Sequence, residues 1–99
     1  MEISFEIWIP KGIVGHYPVK VVGEQRVIID AFPYKWFNVD VYNDGPDDVY
    51  CFINEVGTLR QPLKKDENLK VENPAPLVKR IILFCDAGKS ANVRIYTKR

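Results

Sequence analysis

Few side chains in this chain could do chemistry. His16 is the single histidine, set in the Gly- and Pro-bearing stretch of residues 11–18 (KGIVGHYP), and Cys51 and Cys85 are the two cysteines. A thiol beside an imidazole can act as a nucleophile. Both cysteines, however, sit in apolar-patterned segments that place a thiol in a core, where it stays protonated and inert. Parity puts Cys51 on the face of Val49 and Ile53, and Cys85 with Ile81 and Leu83. Both thiols can therefore enter one core, so a bridge is sterically open; reduced thiols are the default for a chain with no export signal. No GxSxG, phosphate-loop, HExxH or CxxC pattern occurs. The expectation is a protein without catalytic residues, that is, not an enzyme.

The second candidate chemistry is metal binding. Asp40, Asn43, Asp44, Asp47 and Asp48 place five oxygen-bearing side chains within nine residues, with no Lys or Arg among them. A calcium ion takes about six to eight oxygens from a flexible loop. The spacing lacks the closing Glu of an EF-hand, and Asn, Asp, Gly and Pro are also what a plain turn requires. Calcium is the only cofactor the sequence offers, and a turn without metal is the alternative.

The third is aromatic. Trp8, Trp36, Tyr42, Tyr50, Phe52 and Tyr96 fall opposite the clearest apolar stripes. Exposed, such residues would anchor a protein partner or stack sugar rings as in a carbohydrate-binding module. Otherwise they line the core or pair across strands.

Charge supplies the fourth signal. The formal net charge of +1 hides a cancellation: residues 40–55 hold five acids and no base, whereas Lys79, Arg80, Lys89, Arg94, Lys98 and Arg99 face only Asp86 in residues 79–99. If those segments face different sides, the two patches suit head-to-tail contact between copies. Arg94, Lys98 and Arg99 beside Tyr96 form a basic patch of the kind that single-strand nucleic-acid binders carry. The neighbouring acids would repel phosphate, so nucleic acid is not the expected partner. No apolar run approaches the roughly 18 residues of a membrane span. Glu2 and Glu6 stand where an export signal would carry Lys or Arg.

The elements that must position these residues are strands. Val and Ile number 22 against 9 for Leu and Ala, and β-branched residues favour a pleated surface over a helix. With 46% hydrophobic and 27% charged residues over 99 positions, the chain reads as one globular domain spanning residues 1–99. Ile3, Phe5, Ile7 and Ile9 alternate with Glu2, Ser4, Glu6 and Trp8 up to Pro10; residues 11–18 read as a loop. Residues 19–22 and 26–32 read as a hairpin around Gly23-Glu24. Phe37, Val39 and Val41, the turn residues 43–48, then Val49, Cys51 and Ile53 read as a second hairpin over residues 36–55. A short piece surrounds Leu59, a strand covers 68–72, the long apolar run 78–85 reads as a central strand, and Ala91, Val93 and Ile95 mark the last. Seven or eight strands with turns about every ten residues predict an all-β, antiparallel two-sheet sandwich, a jelly roll being one such arrangement.

From Phe37 onward the run 41–50 (VYNDGPDDVY), Ile53-Asn54, the strand ending at Asn68-Leu69-Lys70-Val71, Ile81-Ile82-Leu83 and the stretch 87–95 (AGKSANVRI) resemble small β-sandwich virion accessory proteins of tailed bacteriophages, which decorate heads or build tail parts. The resemblance covers roughly residues 37–97. It implies a non-enzymatic, self-assembling protein whose partners are copies of itself or other particle proteins, found in the virion or in the cytoplasm of the producing cell. A carbohydrate-binding module with Trp8, Trp36, Tyr42, Tyr50 and Tyr96 as its platform is the alternative.

Overall fold

A computed structural model of the chain describes residues 5–10, 15–31, 35–54, 62–72 and 77–98. Among these residues are nine strands and no helix: β1 (Phe5–Pro10), β2 (Gly15–Val22), β3 (Gln25–Asp30), β4 (Asn38–Pro46), β5 (Val49–Ile53), β6 (Pro62–Leu63), β7 (Asn68–Glu72), β8 (Arg80–Phe84) and β9 (Ser90–Lys98). They form two sheets, one in the order β1-β3-β8-β5-β6 and the other β2-β9-β4-β7. The protein is an all-β sandwich. With β1 set aside, the order 2-9-4-7 over 3-8-5-6 is that of an eight-stranded jelly roll. The ninth strand, β1, is added to one edge, beside β3 and parallel to it. That pairing departs from the expected wholly antiparallel arrangement.

Both predicted hairpins are corrected. β2 and β3 lie in different sheets, as do β4 and β5, so Gly23-Glu24 and residues 47–48 carry the chain across the sandwich rather than back along one sheet. Alternation cannot distinguish the two cases, because a hairpin and a crossing turn both point the same residues inward. Neighbouring turns decide it. Gly23 N donates to Lys89 O at 2.7 Å, Asp47 N to Ser90 O at 3.0 Å, and Ser90 N to Asp47 Oδ2 at 3.0 Å. The β2–β3, β4–β5 and β8–β9 turns thus knit together at one end. Gly23 packs so tightly on the last of these that a Cβ there would strike Asp86 O, which is why the position is glycine. The loop expected over residues 11–18 is also corrected in part: Gly15–Pro18 begins β2, pairing with Thr97 to Arg94. Leu59 and its neighbours lie outside the described residues, as does Arg99.

The core lies between the sheets. Val27, Ile29, Ile81, Leu83 and Val49 of one inner face meet Val21, Val39, Val41, Val93 and Ile95 of the other, all at most 1% exposed. Burying each such side chain contributes about 1.5–3 kcal/mol, so this layer carries the sandwich. β8 is the middle strand of its sheet, as the length of its apolar run predicts. Trp36 closes the core: it is fully buried, and its backbone bridges to Val78 (N to Val78 O 2.8 Å, O from Val78 N 3.1 Å).

Candidate functional site

The sandwich has two outer faces, and they differ in kind. On the five-stranded sheet, the strand registers set Trp8, Ile28, Ile82 and Phe52 side by side across β1, β3, β8 and β5. One row over, Glu6, Arg26, Phe84 and Tyr50 form a second line. An apolar stripe on an outer face would ordinarily be wet. Here Ile28, Ile82 and Phe52 are at most 8% exposed, because larger neighbours lie over them. Phe84 stacks on Phe52 at 5.6 Å, and Tyr50 tilts against Phe84 at 5.2 Å. The Arg26 guanidinium sits 5.6 Å over the Phe84 ring, and that of Arg80 sits 4.8 Å over Trp8. Long arginine stems cover apolar surface while their heads stay wet. Each head also faces an acid, Arg26 to Glu6 at 3.6 Å and Arg80 to Asp30 at 3.9 Å.

The stripe opens at β1. Three of the six exposed large apolar side chains among the described residues lie on that strand: Phe5 at 57%, Ile7 at 39% and Trp8 at 49%. Phe5 and Ile7 share the inner parity with Ile9, which packs on the core, yet they are exposed. The cause is the strand count. The second sheet ends at β2, which contacts β3 and β8 across the sandwich, so β1 projects one strand beyond its cover. The outer backbone edge of β1 has no strand beside it among the described residues.

The outer face of the four-stranded sheet is a polar and aromatic network. Arg94 on β9 donates to both carboxylate oxygens of Asp44 (2.7 and 3.0 Å) and to Tyr96 Oη (3.2 Å), and lies 5.0 Å over the Tyr42 ring. The bond to Asp44 is the main cause that raises the Arg94 pKa above its ordinary value. His16 stacks on Tyr96 at 4.7 Å with the rings 8° apart, and Tyr42 meets Tyr96 edge-on at 5.6 Å. These contacts join the three rings and Arg94 into one cluster. Lys70 beside Glu72 (3.2 Å) completes the face, and the hydrogen bond it donates to Glu72 raises its pKa.

Several sequence-derived sites change meaning. Trp36 is no interface anchor: it is wholly inside the core. Phe52 is buried under Phe84. Tyr50 donates its hydroxyl to Asp86 Oδ2 at 3.2 Å. The five oxygen ligands do not converge. Asp40 and Asp44 point outward from β4, whereas Asn43 points inward and is fully buried. Its Nδ2 donates to Asp47 O (2.9 Å) and Leu63 O (2.7 Å), and its Oδ1 accepts from Gly45 N (2.7 Å). Asn43 is thus a polar tie between the sheets, a role the turn-like composition concealed. The acidic and basic segments are likewise not opposed patches. β4 and β9 are paired neighbours, and Asp44 with Arg94 cancels charge within one copy. Lys98 is exposed at the end of β9, on the same face.

The structure does not bring a nucleophile to its base. His16 is on an outer face, whereas Cys51 and Cys85 belong to the core. Both are free thiols. Burial pushes Cys51 up to about 12 and Cys85 up to about 11, and Cys85 Sγ donates weakly to Val21 O at 3.8 Å. The sequence reading missed Phe5, Ile7 and Arg80. Phe5 and Ile7 read as core stripe, and only the strand order shows that no strand among the described residues lies over them. A signal was present: residues 5–10 (FEIWIP) are apolar at both parities, as befits a strand with two faces to cover.

No protein-family profile matches the chain, and no curated protein matches it. Among solved structures it is similar to the solution structure of a de novo designed double-stranded β-helix, with 21% identity over 86% of this chain and 87% of that one and a TM-score of 0.44.

Proposed function

We propose that the chain is a non-enzymatic structural or accessory protein that works through protein–protein contact, with copies of itself or other components of an assembly. The observation that carries this reading is the β1 edge, where Phe5, Ile7 and Trp8 are exposed on the two faces of a strand whose outer edge has no strand beside it among the described residues. Natural sheets guard such edges with lysine, proline or short length. The other sheet edges among the described residues are guarded: β2 carries Pro18 and Lys20, β7 alternates Lys70 and Glu72 outward, and β6 is two residues long. Among the described edge strands, β1 is the one that exposes three large apolar side chains, which marks it as a surface meant to be covered. The viral particle indicated by the sequence resemblance is the assembly this reading adopts. Its mechanism is burial of Trp8 and its neighbours, with arginines Arg26 and Arg80 framing the contact.

Sedimentation velocity from micromolar to millimolar protein tests the reading. The native chain is expected to gain mass with concentration, and Ile7→Lys, which puts a charge in the middle of the edge, to remain monomeric. A native chain that stays monomeric throughout counts against the proposal.

A further inference from the structure

We propose that the occupant of the β1 edge is a second copy of the same strand, paired antiparallel about a two-fold axis at Ile7, so that the two five-stranded sheets join into one. This rests on the reading of the protein as one that works by contact, and adds the partner and the register.

The backbone limits the choice. Phe5 N donates to Glu24 O at 2.9 Å, so the peptide groups of Phe5 point toward β3. Successive residues of a strand alternate in direction, and those of Glu6 and Trp8 therefore point outward, unmet by any strand among the described residues. An axis perpendicular to the sheet pairs residues of equal parity, which leaves Ile7 or Trp8 at its centre. With Trp8 at the centre, Glu6 falls opposite Pro10, which has no N–H, and the Glu6 carbonyl goes unmet. With Ile7 at the centre, Glu6 falls opposite Trp8 of the second copy. Each then gives and takes one hydrogen bond, so both donors and both acceptors on each strand are met.

Side chains favour the same register. On the inner parity, Ile7 meets Ile7 and Phe5 meets Ile9 of the second copy, an apolar cluster where each copy alone leaves Phe5 and Ile7 wet. On the outer parity, Glu6 stands beside Trp8 of the second copy, whose ring carries the Arg80 guanidinium at 4.8 Å. Glu6 and Arg80 each already face a partner in their own copy, Arg26 at 3.6 Å and Asp30 at 3.9 Å, and the arrangement extends those pairs into a charge network across the axis, once on each side. That charge complementarity selects a second copy over an unrelated apolar strand, and the contact is self-complementary, as a two-fold interface must be.

Cysteine cross-linking tests the register. Residues opposite one another at a non-hydrogen-bonded position stand about 4.5 Å apart at Cα, within disulfide range. Ile7→Cys is therefore expected to convert to a disulfide-linked dimer under mild oxidation, and Trp8→Cys is not. Cys51 and Cys85 are core thiols, and the unmodified chain measures their background. An equimolar mixture of Phe5→Cys and Ile9→Cys is expected to cross-link, and Phe5→Cys alone is not. Cross-linking at position 8 in place of 7 overturns the register. Failure at every position, with the native chain still gaining mass in sedimentation, overturns the β1 pairing and leaves the contact function standing. A native chain that never associates removes both.

Discussion

The two tryptophans of this protein have opposite fates. Trp36 is 0% exposed and seals the core, while Trp8 is 49% exposed and sits beneath Arg80 on the outermost strand. Both follow the same alternating pattern in sequence. Trp36 lies where two sheets face each other, whereas Trp8 lies on an outer face at the edge of the sheet that is wider by one strand. A residue's role here is decided by the face it occupies and by the place of its strand in the sheet order, and local pattern does not carry the second.

The strongest way to break this comparison is at the buried end. Trp36→Ala removes a fully buried ring from the core and is expected to cost about 3–5 kcal/mol. Chemical denaturation would show a matching fall in the midpoint. Self-association measured under native conditions should be unchanged as long as the variant remains folded, because Trp36 is fully buried and presents no surface to a partner. A loss below about 1 kcal/mol would mean that Trp36 is not the keystone its burial implies.

How far the sequence could be read follows the same division. The strands were legible, because inward and outward residues alternate along β4, β5 and β9 and turn residues mark their ends. Strand pairing was not. Gly23-Glu24 and residues 47–48 look like hairpin turns, and the contacts that make them cross between sheets come from Ser90 and Lys89, more than forty residues away. The aromatic site was half legible. Trp8, Tyr42 and Tyr96 do reach an outer face, but Phe5 and Ile7 imitate a core stripe. The Asp-rich run concealed Asn43, whose amide spans from β4 to the β6 carbonyl of Leu63. The charge asymmetry was real in sequence, but in space Asp44 and Arg94 cancel each other because β4 and β9 are neighbours.

The thiols offer a gentler probe of the buried side. Burial raises Cys51 to about 12 and Cys85 to about 11, from an ordinary 9.0. Below pH 9.0 both thiols are protonated whether the chain is folded or not, and their contribution to stability is fully present. Above it the unfolded chain releases protons that the folded chain keeps, so stability falls as pH rises toward the folded values. The slope approaches about 1.4 kcal/mol per pH unit for each thiol. Denaturant titrations on either side of pH 9.0 should show the decline, and Cys85→Ala should remove its own share up to about pH 11. A parent and variant that decline in parallel would place that thiol in contact with water.

The smallest effect on stability belongs to Trp8, and it separates the two regions most sharply. In one copy its ring loses about half its surface to neighbours and holds a single guanidinium. Trp8→Ala should therefore lower stability by only about 0.5–1 kcal/mol, the scale of an exposed cation–π contact. Its effect on association should be far larger, since a large aromatic beside an arginine is the kind of anchor that dominates an interface. Thermal melts at low protein concentration report the first quantity, and sedimentation at high concentration reports the second. Trp36→Ala is expected to show the reverse pattern. A Trp8 variant that associates as the native chain does would detach the exposed tryptophan from the contact function, and leave the backbone edge of β1 to carry it unaided.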